Sequence, residues 1–342
     1  MRHPYLSHLL RRIAPQADAF VELEPEFGFV GEIVFSNGRR HPFRNTNMNV
    51  NLAGSVAIAE DKGYTSYLLR RHGLRVPAEV TFFADKLRAN LRDDPEIRRG
   101  LAHAEAFARE AGFPIVVKPN RGSQGDLVCK CHSELDIEFA ANRILAKYSV
   151  AVAQEYITGR DYRIVVLAGE VVSAYERVGL TIHGDGLRDI AALLTVKRDS
   201  FPALGRPNSE VEPSDFRIDW TLRRLGLTRD SVLKRGKSLQ LLPNANLSTG
   251  GDAEDITESI HPEIRQLAAK ASAVLGLTLA GVDIICEDAT RGSSGHVIIE
   301  VNGAPGMDNY ASMGPDQERR VEAIYLRILR FLRDSPRQPY FL

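Results

Sequence analysis

Two short apolar runs near the C-terminal end of the chain are typical of β-strands. Residues 282–286 and 296–301 are rich in β-branched side chains, and the polar segment between them contains Arg291 and two glycines. Such runs on either side of a glycine-containing loop predict a β-hairpin. If the loop is centred near Arg291, Asp283 lies opposite Glu300 on the neighbouring strand.

This predicted hairpin brings three oxygen donors to one face. Side chains alternate along a strand, so Glu300 and Asn302 share the face that Asp283 reaches from the opposite strand. Two carboxylates about 5 Å apart repel each other unless a cation lies between them. Oxygen-only ligands suit Mg2+. The pattern therefore predicts a divalent cation site. The alternative is that Asp283 and Glu300 are solvent-facing residues of an exposed hairpin.

Periodic apolar positions elsewhere predict helices that alternate with further strands. Segment 195–236 is the least regular, and we predict a helical excursion that either faces a substrate or only covers the core. Its apolar side would be formed by Trp220, Leu222 and Leu225. The predicted helices are 5–12, 55–72, 95–111, 134–148, 187–194, 262–275 and 316–333. The predicted strands, besides the hairpin above, are 27–35, 39–43, 113–119, 126–131, 150–157, 162–168 and 170–175.

A glycine-rich turn follows a strand that closes with a lysine. Strand 113–119 contains Lys118, and Gly122 and Gly125 follow before the predicted strand 126–131. Glycine permits positive φ and close approach of backbone N–H groups, so this flap is suited to cradle phosphates. It is not a Walker loop, in which the lysine follows the glycines and opens a helix. The alternative is a simple turn between two strands.

The composition excludes several classes of protein. With 342 residues, 44% hydrophobic and 26% charged, the chain is typical of one large globular domain or a few small lobes. Lysine plus arginine equals aspartate plus glutamate at 44 each, so no nucleic-acid or membrane surface is expected.

Cys129, Cys131 and Cys286 are too few for a disulfide framework. The first two would pack on one strand face, with metal binding the less favoured alternative. No membrane span or secretory signal is present, so we expect a cytoplasmic protein.

The order of these motifs identifies a family. The lysines, the flap, a polar segment after a strand and the cation ligands follow one another as in the ATP-grasp superfamily, which the chain resembles over about residues 60–307. Shorter segments are most similar to the ligase region of cyanophycin synthetase and of bifunctional glutathione synthetases, and D-alanine–D-alanine ligase is a more distant likeness. The ordered motifs are Lys62, Lys118, 122–125, 154–157, Asp161, Asp283, Glu300 and Asn302. The shorter segments are 174–177, 184–186, 246–251 and 260–262.

The resemblance implies an α+β ATP-grasp fold, in which two α+β lobes clasp ATP after a short N-terminal pre-grasp unit. A lysine on a helix is usually a solvated surface charge, so Lys62 acquires a role only through the resemblance. The implied units are an N-terminal unit with a β-hairpin at 1–52, a linking helical segment at 53–110, a small lobe with the flap at 111–160, and a large lobe with the cation site and the last helix at 161–342.

The resemblance also implies roles for individual residues. Lys62 and Lys118 would meet the α- and β-phosphates of ATP. Asp283, Glu300 and Asn302 would hold two Mg2+ ions, with Mn2+ as a possible substitute. The other implied contacts are those of Gly122, Ser123, Gln124 and Gly125 with the β- and γ-phosphates, of Gln154, Glu155, Tyr156 and Ile157 with adenine, and of Asp161 with the ribose.

The implied activity is that of an ATP-dependent carboxylate–amine ligase. Such an enzyme forms an acyl phosphate, joins it to an amine and releases ADP and phosphate, here on amino acids or short peptides. Arg163, Arg177 and Asn246 are candidates for contacting the γ-phosphate, the acyl phosphate or a substrate carboxylate. Leu242 stands where related synthetases carry an arginine. The alternatives are an enzyme that phosphorylates or carboxylates a small acid and an ATP-binding scaffold without turnover. The expected partners are small-molecule carboxylates and amines, and a homodimer is the favoured assembly.

Overall fold

A helix and three strands form a unit at the N-terminal end of the chain. The computed structural model describes residues 4–92, 94, 97–202, 206, 211–242, 244–292 and 295–334. The elements of this unit are helix α1 (Tyr5–Ile13) and strands β1 (Ala19–Leu23), β2 (Val30–Phe35) and β3 (Arg40–Arg44). The strands form an antiparallel sheet in chain order. The hairpin predicted from strands 27–35 and 39–43 is confirmed, and β1 is an additional strand.

The single helix predicted over 55–72 is wrong, because two helices occupy this segment. They are α2 (Ala53–Ala59) and α3 (Lys62–Arg71). The side chain of Asp61 caps α3 by accepting a hydrogen bond from the backbone N–H of Tyr64 at 3.1 Å. This second helix start places Lys62 in the interior, where it is only 8% exposed. Lys62 therefore does not occupy the surface position that is usual for a lysine.

A four-stranded antiparallel sheet in the order β4-β7-β5-β6 forms the small lobe. Its strands are β4 (Glu79–Phe83), β5 (Ile115–Pro119), β6 (Cys129–Cys131) and β7 (Val150–Glu155), accompanied by helices α4 (Asp85–Arg88), α5 (Leu101–Ala111) and α6 (Glu134–Lys147). Strand β4 lies within 53–110, the predicted linking helical segment, and the sequence analysis did not predict this strand. Helix α5 starts later than predicted, and residues 95 and 96 lie outside the described residues.

The core of the small lobe forms between its sheet and helices α5 and α6. Cys129 and Cys131 are free and buried there, together with Ile115 and Val117 of β5. The predicted packing role of the two cysteines is therefore confirmed. Burial raises the pKa of the Cys129 thiol to about 12, which keeps it neutral.

A five-stranded antiparallel sheet in the order β12-β9-β8-β13-β14 forms the large lobe. Its strands are β8 (Arg160–Leu167), β9 (Glu170–Val178), β12 (Asp252–Asp255), β13 (Leu279–Cys286) and β14 (Val297–Asn302), and helix α9 (Pro262–Val274) covers one face. Ile164, Val282 and Ile284 are among the apolar residues buried on the α9 side. Alternation along the strands leaves Arg163 and Asp283 on the other face.

The last helix joins the N-terminal unit to the large lobe. Helices α10 (Asp308–Ala311) and α11 (Pro315–Asp334) follow the sheet. Ile328 of α11 shares one buried cluster with Leu10 of α1, Ile33 of β2 and Leu167 of β8. The helix predicted over 316–333 is confirmed, and it packs on the sheet as predicted.

Residues 180–242, which we call the insert unit, lie between β9 and β12. Strands β10 (Thr181–His183) and β11 (Ser238–Gln240) pair, and helices α7 (Ile190–Ser200) and α8 (Phe216–Arg224) pack beside them. Helix α7 begins three residues later than predicted because the Asp189 side chain caps it.

Helix α8 has a different apolar side from the one predicted. Leu222 is buried in the insert unit, whereas Leu225 is 56% exposed. Trp220 faces the small lobe instead, where its ring lies 5.0 Å from the ring of Phe139 in α6. The insert unit thus contacts the small lobe. Among the described residues, no helix combines the length and hydropathy that a bilayer crossing requires.

Candidate active site

The polar face of the large-lobe sheet gathers residues from four strands. Asp283 of β13 pairs directly with Glu300 of β14 and, on its other side, with Arg163 of β8. Arg177 of β9 pairs with Asp161 of β8. The predicted apposition of Asp283 and Glu300 is confirmed. Asn302 lies two residues beyond Glu300 on the same strand, opposite Gly281.

Asp283 is held by two arginines. The Arg163 guanidinium bonds both of its carboxylate oxygens, and Arg177 Nη2 lies 2.9 Å from its Oδ2. Arg177 Nη2 also lies 2.6 Å from Oδ1 of Asp161. Burial alone would raise the pKa of Asp283, but the two guanidiniums lower it below the ordinary value. Asp283 is therefore ionised, and the arginines balance its charge.

The two predicted lysines approach this face from the small lobe and from α3. Lys62 Nζ lies 3.5 Å from Glu300 Oε1 and donates a hydrogen bond to the carbonyl of Gly122 at 3.3 Å. Lys118 is 4% exposed, and burial, with a further contribution from the charge of Lys62, lowers its pKa to about 8. The structure thus brings both lysines, the flap and Glu300, a predicted cation ligand, together.

Lys118 is oriented by a chain of hydrogen bonds that the sequence reasoning missed. Its Nζ donates to Gln154 Oε1 at 2.8 Å, and Gln154 Nε2 donates to Glu79 Oε2 at 2.7 Å. Glu79 lies on β4, the strand that was not predicted. The run Val80-Thr81-Phe82-Phe83, rich in β-branched and aromatic residues, was a local signal for that strand.

The flap has the backbone that a phosphate-binding turn requires. Gly122 and Gly125 have φ of 140° and 69°, and Gln124 also has a positive φ of 58°. Residues 126–128 belong to this turn, so the predicted strand 126–131 is wrong over its first half. A Cβ at Gly125 would lie 2.6 Å from Nδ2 of Asn246. Asn246 therefore lies beside the flap, whereas Arg163 and Arg177 lie on the sheet face.

A further contact anchors the flap to the insert unit. Arg217 Nη1 of α8 donates to the carbonyl oxygen of Gly125 at 2.5 Å. The sequence analysis did not single out this arginine, because its charge pattern on α8 resembles that of a solvated helix face.

The segment predicted to meet adenine, residues 154–157, spans the end of β7. The side chain of Gln154 points to Lys118, and Glu155 accepts a hydrogen bond from the backbone N–H of Ala78 at 3.2 Å. The Lys130 ammonium lies 3.6 Å from the ring centroid of Tyr156. The adenine role of residues 154–157 and the ribose role of Asp161 stay predictions.

The three predicted cation ligands are two carboxylates and one amide. Among the described residues, no three His, Cys, Asp or Glu side chains are grouped so that they could hold a metal ion. A cation site here would therefore need the amide oxygen of Asn302 besides the carboxylates of Asp283 and Glu300. Carboxylate and amide oxygens are ligands that hard divalent cations accept.

Comparison with known proteins shows the family of the chain. The family described as RimK-like ATP-grasp domain matches residues 86–185 and 243–322, more than half of the chain. A cyanophycin synthetase of Geminocystis herdmanii is 32% identical over 284 residues, which cover 80% of this chain and 30% of that protein. The glutathione biosynthesis bifunctional protein GshAB of Streptococcus mutans is 31% identical over 286 residues, covering 80% of this chain and 36% of that protein. The chain thus spans about a third of the length of these relatives.

A solved structure shows the same fold. The crystal structure of a bifunctional glutathione synthetase from Pasteurella multocida matches with a TM-score of 0.57 and 23% sequence identity. The match covers 94% of this chain and 43% of that one. ATP-grasp ligases of this family use ATP. The chain has the α+β ATP-grasp fold and belongs to the RimK-like ATP-grasp family.

Proposed function

We propose that this protein is an ATP-dependent carboxylate–amine ligase. The observation that carries the proposal is the position of Lys62, whose ammonium lies 3.5 Å from Glu300 on the sheet and 3.3 Å from the Gly122 carbonyl of the flap. An ammonium group between a glycine-rich turn and a sheet face that carries carboxylates is suited to bind the phosphates of a nucleotide. The relatives named as synthetases support amide formation as the reaction.

In this proposal ATP lies between the two lobes. Lys62 and Lys118 bind the α- and β-phosphates, and the backbone N–H groups of the flap residues 122–125 cover the β- and γ-phosphates. The adenine lies against residues 154–157, and Asp161 binds the ribose hydroxyls. Binding of phosphate favours the protonated form of Lys118, because a nearby negative charge raises the pKa of an ammonium group.

The donor set of the sheet face fits Mg2+, and Mn2+ would be bound by the same oxygens. Asp283, Glu300 and Asn302 would hold up to two ions. When bound, these ions neutralise phosphate charge during transfer of the γ-phosphoryl group. Asp283 would then exchange part of its pairing with Arg163 and Arg177 for the cation.

The arginines of the sheet face supply fixed positive charge for the reaction. Burial by itself would lower the pKa of Arg177, but its pairing with Asp161 and Asp283 raises the pKa above its ordinary value, so the guanidinium stays charged. The acid substrate attacks the γ-phosphorus and ADP leaves, giving an acyl phosphate. The amine then attacks the acyl carbon, phosphate leaves with its bonding electrons, and the amine proton passes to solvent. Arg163, Arg177 and Asn246 would contact the groups on which negative charge accumulates.

The substrates in this proposal are amino acids or short peptides, and the enzyme works as a cytoplasmic protein that forms a homodimer. The test is ADP release with pooled amino acids, with mass detection of the products. An amide product is the expected result. A phosphorylated acid as the sole product would show that the enzyme transfers phosphate without forming an amide.

A pair of matched variants tests the sheet face. Glu300→Gln should abolish ADP release and leave the circular dichroism spectrum unchanged, because the carboxylate is lost without a change of shape. Glu287→Gln alters an exposed residue of the same hairpin and should keep wild-type activity. Full activity of Glu300→Gln would contradict the assignment.

A further inference from the structure

The side chain of Asn120, the first residue after β5, is buried against the start of α3. Asn120 is 4% exposed. Its Oδ1 accepts a hydrogen bond from the backbone N–H of Gly63 at 3.0 Å, and its carbonyl accepts one from the backbone N–H of Lys62 at 3.2 Å. The backbone N–H of Asn120 donates in turn to the carbonyl of Val150 in β7 at 3.0 Å. Asn120 is therefore bonded to the small-lobe sheet and to α3 at the same time.

Asn120 caps α3 from a distant part of the chain. The first N–H groups of a helix have no partner within that helix. In α3, the N–H of Tyr64 donates to the side chain of Asp61, which is an ordinary cap by the preceding residue. The N–H groups of Lys62 and Gly63 instead donate to Asn120, which lies 57 positions after Gly63. A cap from such a distance satisfies the donors and also fixes where the helix begins relative to the sheet.

The start of α3 has little room to move away from Asn120. A Cβ at Gly63 would lie 3.0 Å from Cγ2 of Thr81 in β4 and 3.6 Å from Oδ1 of Asn120, so the helix approaches the sheet closely at this glycine. A second link joins Arg121 Nε to Asp61 Oδ2 at 3.6 Å, but the Arg121 side chain is 60% exposed and such a pair contributes little. The buried hydrogen bond of Asn120 is the stronger of these two links.

The position of the Lys62 ammonium depends on this attachment. Its Nζ lies 3.3 Å from the carbonyl of Gly122, two residues after Asn120, and 3.5 Å from Glu300 Oε1. A lysine side chain is long and flexible, and holding it in one place costs conformational entropy. Because the backbone of Lys62 is bonded to Asn120, the ammonium group keeps a fixed position relative to the flap before any phosphate is bound.

We propose that Asn120 is a positioning residue for nucleotide binding, which acts through Lys62 by holding the start of α3 against the flap. This inference rests on the proposed ligase function, since that function gives Lys62 its phosphate. A cap with a structural role alone would stabilise the fold, and its loss would affect nucleotide binding no more than the loss of another cap in the same lobe.

A double-mutant cycle on the full chain tests whether Asn120 acts through Lys62. Calorimetry with ATP and Mg2+, without an acid or an amine, gives Kd for each variant. Asn120→Ala should raise this Kd about tenfold, the effect of weakening one hydrogen bond to a charged group. In the Lys62→Met background the same substitution should change Kd by less than about twofold, because the group that Asn120 positions is no longer present.

Ser133→Ala is the matched control for stability. The side chain of Ser133 caps α6 of the same lobe by accepting a hydrogen bond from the backbone N–H of Asp136 at 3.2 Å, and α6 carries none of the predicted site residues. Ser133→Ala and Asn120→Ala should both lower the midpoint of urea unfolding, since each removes a helix cap. Only Asn120→Ala should weaken ATP binding. If circular dichroism shows that Asn120→Ala is unfolded, Asn120→Ser, which leaves a hydroxyl group in the buried site, takes its place in the cycle.

The outcomes separate this inference from the proposed function. An equal change of Kd for ATP in the wild-type and Lys62→Met backgrounds overturns the inference and leaves the ligase function standing. An equal change of Kd in Ser133→Ala and Asn120→Ala does the same. A change that disappears in the Lys62→Met background supports the inference even if pooled amino acids give no ADP release, in which case the ligase function fails alone. Absence of ATP binding by the wild type overturns both.

Discussion

Replacing Lys118 by methionine separates the stability of the fold from nucleotide binding. Lys118 is 4% exposed, and burial lowers its pKa from 10.5 to about 8. Between these two values the unfolded chain binds the proton more tightly than the folded chain. The contribution of Lys118 to the free energy of unfolding therefore becomes more favourable as the pH rises from about 8 toward 10.5.

The magnitude follows from the two pKa values. The fall from 10.5 to about 8, at about 1.4 kcal/mol per pH unit, corresponds to about 3 kcal/mol of destabilisation near pH 7. Between about pH 7 and pH 9.5 the wild type should regain about 2 kcal/mol that Lys118→Met does not gain. The variant also leaves Gln154 Oε1 without its donor, at a cost of about 1–3 kcal/mol. That cost is the same at both pH values and cancels from the comparison.

Urea unfolding at pH 7 and pH 9.5, followed by tryptophan emission, measures this difference. Trp220 is the single tryptophan of the chain and packs against Phe139 of the small lobe, so it reports on that lobe. Lys86→Met, at an exposed lysine of α4, should follow the wild type at both pH values. If Lys118→Met and wild type differ by the same free energy at pH 7 and pH 9.5, Lys118 is not desolvated and the reasoning is refuted.

Three further predictions concern the same site. The KM of the wild type for ATP should rise as the pH passes about 8, the pKa of Lys118, because the neutral amine binds phosphate less well than the ammonium group. A KM that does not change between pH 7 and 9.5 would contradict this prediction. Asp283→Asn should lower the free energy of unfolding by about 3–5 kcal/mol, since it leaves the buried Arg163 guanidinium without its carboxylate and leaves Arg177 with Asp161 as its partner. Glu300→Gln should cost less than about 1 kcal/mol, because the ion pair of Glu300 with Lys62 is partly exposed. Equal losses of unfolding free energy for the two variants in urea would argue against the pairing of Asp283 with the arginines. Gly125→Ala should raise KM for ATP about tenfold because the methyl group collides with the loop facing the flap, whereas Gly38→Ala, with positive φ but open space around it, should leave KM unchanged.

Local pattern in the sequence determined the hairpin that carries the candidate cation ligands. β-Branched runs on either side of a glycine-containing loop fix two antiparallel strands, and the two-residue alternation of strands then fixes which side chains share a face. The apposition of Asp283 and Glu300 also needs a loop centred near Arg291, and in the structure a β-bulge between Asp283 and Ile284 sets this register. The ATP-grasp fold was likewise predictable, because the order of motifs along the chain does not depend on knowing their contacts.

The burial of Lys62 and the pairing of Asp283 were decided by the tertiary structure. The Asp61 side chain caps α3 and so divides the single predicted helix in two. The backbone N–H of Lys62 donates to the carbonyl of Asn120 at 3.2 Å, which holds Lys62 beside the flap. Asp283 meets Arg163 across 120 positions of sequence. Pairings between distant strands, and the desolvation that shifts the pKa of Lys118, depend on which surfaces pack together. A periodic pattern describes one element at a time and contains no information about the element that will cover it.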